Sequence, residues 1–332
     1  MEQTGFPVLT EEDSRRLAYE HLTLEQRSHF EKHRELNVAF SVAGVCRIRQ
    51  NVYQQRDTVA TTCRLIPIEV KSLADLGIES KAILGFTEAH SGLILVTGPT
   101  GSGKTTTLAA IIDHLNSTRA VNIITIEDPI EYVHADKKAI ISQREVGIDT
   151  MSFAEALKQV LRQTPDVILI GELRDLETLN VALQAAETGH LVFATLHTSS
   201  AAETLDRISN MYQPHERSML WLRLSVSLRG VVSQKLLRRA DGSGRVVAQE
   251  IMVVTPTISK QLEDGRSEDL YTAIRQDGQE GYWGMQTMNQ CLNQLFVDGV
   301  INEEDALLNA GNLAELKQML RRSMTEMSLR AA

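Results

Sequence analysis

The chain predicts an α/β fold built around a parallel sheet, on three observations. Short, continuous, β-rich apolar runs recur at GLILVTG (92–98), VNIITIED (121–128), DVILIGE (166–172) and HLVFATLH (190–197). Segments of helical pattern separate them, the arrangement of strands buried on both faces and joined by helical crossovers. A glycine-rich loop leaves the first run and enters a helical one, TTTLAAIIDHL.

Ahead of that sheet, residues 10–36 are charged, with leucines and aromatics at helical spacing. Two short helices fit, and Thr10 followed by acidic residues marks a helix start. From Asn37 to Pro67 the period changes to two: Val38, Phe40 and Val42 alternate with small or polar residues. Gly44 is expected to turn the chain, and β-branched runs follow at Val45–Val52 and Thr58–Ile66. That pattern predicts a small antiparallel sheet with one helix-covered face. Ser72–Gly77 connects it to the parallel sheet. From Pro256 onward the pattern is helical, with candidates at Met285–Val297, Asn302–Asn309 and Leu313–Arg321. The expected division is 1–70, 71–255 and 256–332.

Composition bounds the function. With 332 residues, 42% hydrophobic and 23% charged, the chain can bury a sizeable core. A net charge of −9 argues against a protein that coats nucleic acid, because neutralising phosphates takes a surplus of Lys and Arg. No apolar run approaches a membrane span and no signal-peptide pattern opens the chain, which points to the cytoplasm. Cys46, Cys63 and Cys291 form no C-x-x-C pair and are expected to be small buried hydrophobes.

GPTGSGKT at 98–105 matches G-x-x-x-x-G-K-[ST]. Gly98, Gly101 and Gly103 let the backbone of Pro99, Thr100 and Ser102 turn its N–H groups toward phosphates. Lys104 is expected to reach the β- and γ-phosphates of ATP, Thr105 to coordinate Mg²⁺, and Thr106 to join them in binding the nucleotide. Such a loop needs carboxylates, and the next strands end in them: Glu127, Asp128 and Glu131 in TIEDPIEY, and Glu172 after DVILIG. In open α/β sheets the crevice lies at the carboxyl ends of the strands, so these four acids should converge on the loop. Glu172 is the candidate for Mg²⁺ through water and Glu131 for orienting the hydrolytic water. Glu127 either joins them or merely faces solvent in a turn before Pro129. His197, at the carboxyl end of its strand, is the better γ-phosphate sensor, and His190, at the other end, stays undecided. Arg47, Arg49, Arg56 and Arg64 on the small sheet either line a solvated face without any function or supply one or two arginine fingers, and sequence does not choose among them.

Together these motifs resemble the type IV pilus retraction ATPases, the PilT and PilU group of the secretion ATPase superfamily. The likeness runs through nearly the whole chain: the phosphate loop, TIEDPIEY, QREVGIDTMSF (143–153), DVILIGELRDLET (166–178), TGHLVFATLHTSSAAETLDRI (188–208) and GMQT (284–287). The resemblance implies a PAS-like α+β N-terminal domain, a RecA-like P-loop ATPase core and a helical C-terminal region. It implies a homo-hexamer with ATP between the first two domains, Glu131 as catalytic base, Glu172 as the metal-strand glutamate, and His190 and His197 as nucleotide-linked. Arginines matching Arg49 and Arg64 would close over the nucleotide. The output would be pilin extraction at the cytoplasmic base of the pilus. Partners would be the inner-membrane platform protein and other retraction ATPases, with the ring peripheral to the cytoplasmic membrane.

Two departures stand out. The stretch before residue 10 is shorter than the family's strand-rich opening, so the N-terminal domain is expected to be abbreviated. The family's AIRNLIRE segment is replaced by TISKQLED at 257–264, which removes both of its arginines. The last helices look more like the PilU branch, whereas LRDLET and the histidine box look more like the PilT branch. A second reading is therefore an accessory ATPase dependent on another retraction motor. A third is a nucleic-acid translocase using Arg229, Lys235, Arg238 and Arg239, although these fit a helix or ring surface better.

Overall fold

The computed structural model describes residues 5–42, 45–66, 69–78 and 80–331. The chain divides into two compact units, Met1–Glu69 with Glu131–Val133, and Val70–Ile130 with His134–Ala332.

In the first unit, helices α1 (Glu11–Tyr19) and α2 (Leu24–His33) precede strands β1 (Glu35–Val42), β2 (Cys46–Gln55) and β3 (Thr58–Ile66). Thr10 starts α1 as expected: its hydroxyl accepts from the Asp13 N–H while the Asp13 carboxylate accepts from the Thr10 N–H. Thr23 and Gln26 repeat the device at α2. The strands pair antiparallel in the order β1-β2-β3. Arg56 and Asp57 form the two-residue turn between β2 and β3, both with positive φ (46° and 61°), the hand that matches strand twist. The helices cover one sheet face, where Ala18, Leu22, Phe30, Val38, Val52 and Val59 make the core. The turn expected at Gly44 lies outside the described residues. Cys63 departs from expectation: it is exposed, because the middle of β3 is not covered.

The second unit opens with α3 (Lys81–Glu88), β4 (Gly92–Thr97), α4 (Lys104–Thr118), β5 (Asn122–Glu127) and β6 (Ile140–Glu145). It continues with α5 (Phe153–Val160), β7 (Val167–Ile170), α6 (Leu176–Glu187), β8 (Leu191–Leu196), α7 (Ala201–Asn210) and α8 (Arg217–Ser227). Strands β9 (Leu228–Arg238) and β10 (Arg245–Val253) follow, then α9 (Pro256–Glu263), α10 (Leu270–Glu280), α11 (Met288–Val297), α12 (Glu303–Leu308) and α13 (Leu313–Ala331). The seven strands run β10-β9-β4-β8-β7-β5-β6. All neighbours pair parallel except the β9–β10 hairpin.

The four predicted strands are the sheet's centre, and every residue of β4, β7 and β8 is buried. Each face carries its own apolar cluster. One packs α5, α6, α7 and α8 around Leu95, Ile170 and Ala194. The other packs α3 and α4 around Ile94, Val96 and Phe193. The C-terminal helices gather a third cluster at Met288, Leu292, Leu316 and Leu320, joined by Leu237 and Ala248 from the hairpin. Arg229, Lys235 and Arg238 sit on strand β9 and Arg239 just beyond it, not on a helix.

Candidate functional site

The carboxyl ends of the central strands form one line of side chains. Thr97 is level with Leu196, so Gly98 after β4 and His197 after β8 are neighbours. Ile170 is level with both Ala194 and Ile126, which sets Gly171–Glu172 between His197 and the Glu127–Asp128 end of β5. The Thr195 hydroxyl donates to the Gly171 carbonyl at 2.5 Å, and the Gly171 N–H donates to the Ile126 carbonyl at 2.8 Å. These bonds fix the peptide that presents Glu172.

The phosphate loop has the path its glycines demand. Gly98, Gly101 and Gly103 all have positive φ, at 146°, 79° and 90°. Pro99, Thr100 and Gly101 are exposed and Ser102 is buried. Gly103 caps α4 without any side-chain bond, so the first-turn N–H groups are left to meet an anion together with the helix's positive end. Lys104 is buried, and its Nζ donates to the carbonyls of Gly98 (2.8 Å) and Pro99 (3.1 Å). Those are bonds that phosphate oxygens can replace. Thr105 is exposed and Thr106 half-buried on the first turn of α4.

Glu172 is held on both oxygens, with Oε1 3.2 Å from His197 Nε2 and Oε2 2.7 Å from Arg174 Nε. Arg174 also reaches Asp128 Oδ2 at 3.2 Å, tying Asp128 to Glu172. The hydrogen bond to Glu172, ahead of any other influence, raises the Arg174 pKa. Arg174, within DVILIGELRDLET, has no role predicted from sequence; its place two residues after Glu172 is the available signal. Glu127 does not face solvent. It is buried, accepting from the Thr125 hydroxyl at 2.6 Å and from Gln143 Nε2 at 3.1 Å.

His190 lies apart from this line of side chains. It stands at the amino end of β8, one strand length from His197, and its Nδ1 lies 2.9 Å from the Ala185 carbonyl. Six residues at about 3.3 Å each remove it from the loop's edge of this sheet by roughly 20 Å.

Glu131 belongs to the first unit, where its Oε1 lies 4.0 Å from an Arg64 guanidinium nitrogen. Register places Arg47, Arg49 and Arg64 on the same face of the small sheet. Arg49 and Arg64 are direct cross-strand partners on one face of the small sheet, while Arg56 lies in the hairpin turn. Two like charges side by side repel, an arrangement that favours an anion between them.

Among the described residues, no cluster of three or more His, Cys, Asp or Glu side chains could hold a metal ion. The set at the loop is one hydroxyl, Thr105, and one carboxylate, Glu172. Both are hard oxygen donors, the type Mg²⁺ takes beside its waters and phosphate oxygens. No helix among the described residues is long and apolar enough to cross a membrane.

The chain is similar to known proteins over most of its length. Residues 59–330 match the family described as Type II/IV secretion system protein. The chain is 45% identical over 302 residues to the type IV pilus retraction ATPase PilT of Pseudomonas aeruginosa, covering 91% of this chain and 86% of that protein. It is 38% identical over 314 residues to the type IV pilus ATPase PilU of the same organism, covering 94% and 81%. A crystal structure of the pilus retraction motor PilT with bound ADP superposes with a TM-score of 0.88 at 44% identity, covering 94% of this chain and 88% of that one.

Proposed function

This chain belongs to the Type II/IV secretion system protein family, and from that premise we propose that it is an ATP-hydrolysing motor that retracts type IV pili. The observation that carries the reading is the line Gly98–Lys104, His197, Glu172, Arg174: a phosphate-binding loop beside an ion-paired carboxylate at the carboxyl edge of a parallel sheet.

The roles follow from chemistry. Lys104 exchanges its carbonyl partners for the β- and γ-phosphates of ATP, and the uncapped start of α4 supplies N–H donors. Thr105 and, through water, Glu172 would hold Mg²⁺, which would neutralise charge on the phosphates. His197, bonded to Glu172, senses the γ-phosphate. Glu131 accepts the proton of the attacking water, with Arg64 beside it to fix the carboxylate's orientation. Arg49 and Arg64 supply positive charge to the phosphates. We infer a homo-hexamer at the cytoplasmic face of the inner membrane. It would act on the pilus platform protein, and its N-terminal, core and C-terminal domains would move with the nucleotide cycle.

A strain lacking this gene tests the reading. It should lose pilus retraction, and the wild-type chain should restore it while Lys104→Ala does not. Full retraction in the deletion strain, or full restoration by the variant, overturns it. The TISKQLED segment favours one second reading, an accessory ATPase like PilU. It forms α9, whose exposed side bears a self-neutralising network of Lys260 with Glu263 and Asp264. Restoration that requires another retraction ATPase in the same cell would select that reading.

A further inference from the structure

Strand β9 is the neighbour of β4 on the side away from His197. Its residue Gln234 lies against the phosphate loop from behind. The side chain is buried, and its Nε2 donates to the Ser102 carbonyl at 2.9 Å. The Gln234 backbone carbonyl closes against Gly98, where a Cβ would collide with it, and a Cβ on Gly103 would sit 3.3 Å from Gln234 Nε2. One residue earlier, the Ser233 hydroxyl meets that of Thr97 at 2.8 Å, fixing the register of β9 beside the loop. Among the described residues, two buried polar atoms here, Gln234 Oε1 and Ser102 Oγ, have no hydrogen-bond partner. Neither belongs to the motif's usual cast of Lys104 and Thr105.

The geometry gives this contact a purpose. In a trans peptide the carbonyl of one residue and the N–H of the next point in opposite directions. Holding the Ser102 carbonyl from behind therefore aims the Gly103 N–H away from β9, the direction a cradled phosphate requires. We propose that Gln234 is a positioning residue for the phosphate loop, orienting the Ser102–Gly103 peptide so that its N–H meets the nucleotide's phosphates. This rests on the reading of the loop as a nucleotide site. Gln234 touches no phosphate and acts through Ser102. Its strand neighbour Lys235 points to the other face, where Nζ donates to the Asn309 carbonyl at 2.8 Å. The same strand thus fastens the loop on one face and the C-terminal helical region on the other.

The test uses the full-length protein and ADP as probe, with Gln234→Met, which keeps the length and loses the donor, and Gln234→Glu, which sets an acceptor against the Ser102 carbonyl. ADP should bind about five- to tenfold more weakly to Gln234→Met, the fold-change of one hydrogen bond, and more weakly still to Gln234→Glu. Melting temperature measured with and without ADP separates positioning from bulk structure. A structural role lowers both values together, whereas a positioning role shrinks the ADP-induced shift. If Gln234→Met is insoluble, Gln234→Glu carries the same comparison. Wild-type affinity for ADP in either soluble variant, with an unchanged ADP-induced shift, overturns the proposal alone. A wild-type protein that does not bind ADP overturns it together with the ATPase reading.

Discussion

Gly98→Ala puts a methyl group where the phosphate loop has no room for one. The added Cβ would collide with the backbone carbonyl of Gln234 on β9 and meet Ser102 Oγ and Cβ at 2.5 and 3.1 Å. The first obstacle is a strand in the middle of a sheet, which cannot step aside as a flexible side chain can. The residue's φ of 146° lies where only glycine is at ease, a strain of about 1–3 kcal/mol. Overpacking against backbone adds about 1–3 kcal/mol, so the variant should lose roughly 2–6 kcal/mol, a large share of a typical domain's stability. Gly101→Ala is the control: its φ is also positive, at 79°, but a Cβ there meets nothing within 4 Å. It should lose only about 1–2 kcal/mol, the backbone cost by itself. Urea denaturation of both variants beside wild type gives the two numbers, and ADP titration shows whether the loop has shifted to relieve the clash. Equal stability of the two variants, with wild-type ADP affinity in Gly98→Ala, would refute the loop path described above.

Three further outcomes are expected. Glu131→Gln should abolish ATP turnover yet retain radiolabelled ATP, since only the proton acceptor is gone, and loss of binding would refute its role. Glu250→Ala should cost about 2–4 kcal/mol in chemical denaturation, because the buried carboxylate accepts from the Ala201 N–H at 2.9 Å and the Met288 N–H at 3.5 Å, the first residues of α7 and α11; a neutral effect would show that neither bond matters. Burial lowers the His134 pKa from its ordinary 6.5, so the unfolded chain takes up that proton first on acidification. Stability should therefore fall as pH drops below 6.5 toward the lower folded value, and His134→Gln should flatten that part of the profile; an unchanged slope would contradict this.

Much of this was legible because each local signal agreed with its neighbours. The strands β4, β5, β7 and β8 are continuous apolar runs, and GPTGSGKT sits between a strand and a helix, so motif and context supported one another. Thr10 announced α1 through its acidic first turn. Other elements gave weaker signals. Strand β6 is an edge strand reading IISQRE, with Ile140 exposed, and lacks a full apolar run. Strand β9 mixes Gln, Lys and Arg into its apolar sequence because its faces meet the phosphate loop and the C-terminal helices rather than a uniform core. Arg174 and Gln234 meet partners distant in sequence, which only folding reveals, and the cross-strand pairing of Arg49 with Arg64 likewise comes from register. His190 was readable in principle, since a residue at the amino end of a parallel strand lies away from the carboxyl-edge crevice.

The central claim is that the Gly98–Thr105 loop binds ATP for hydrolysis, and phosphate release by the purified chain beside Lys104→Ala tests it most directly. Wild type should turn over ATP in the presence of Mg²⁺, and the variant should lose at least about a hundredfold of that rate, the scale of removing one preorganised charge from a transition state. Turnover that survives in Lys104→Ala, or a correctly assembled wild-type protein with none, would contradict the account.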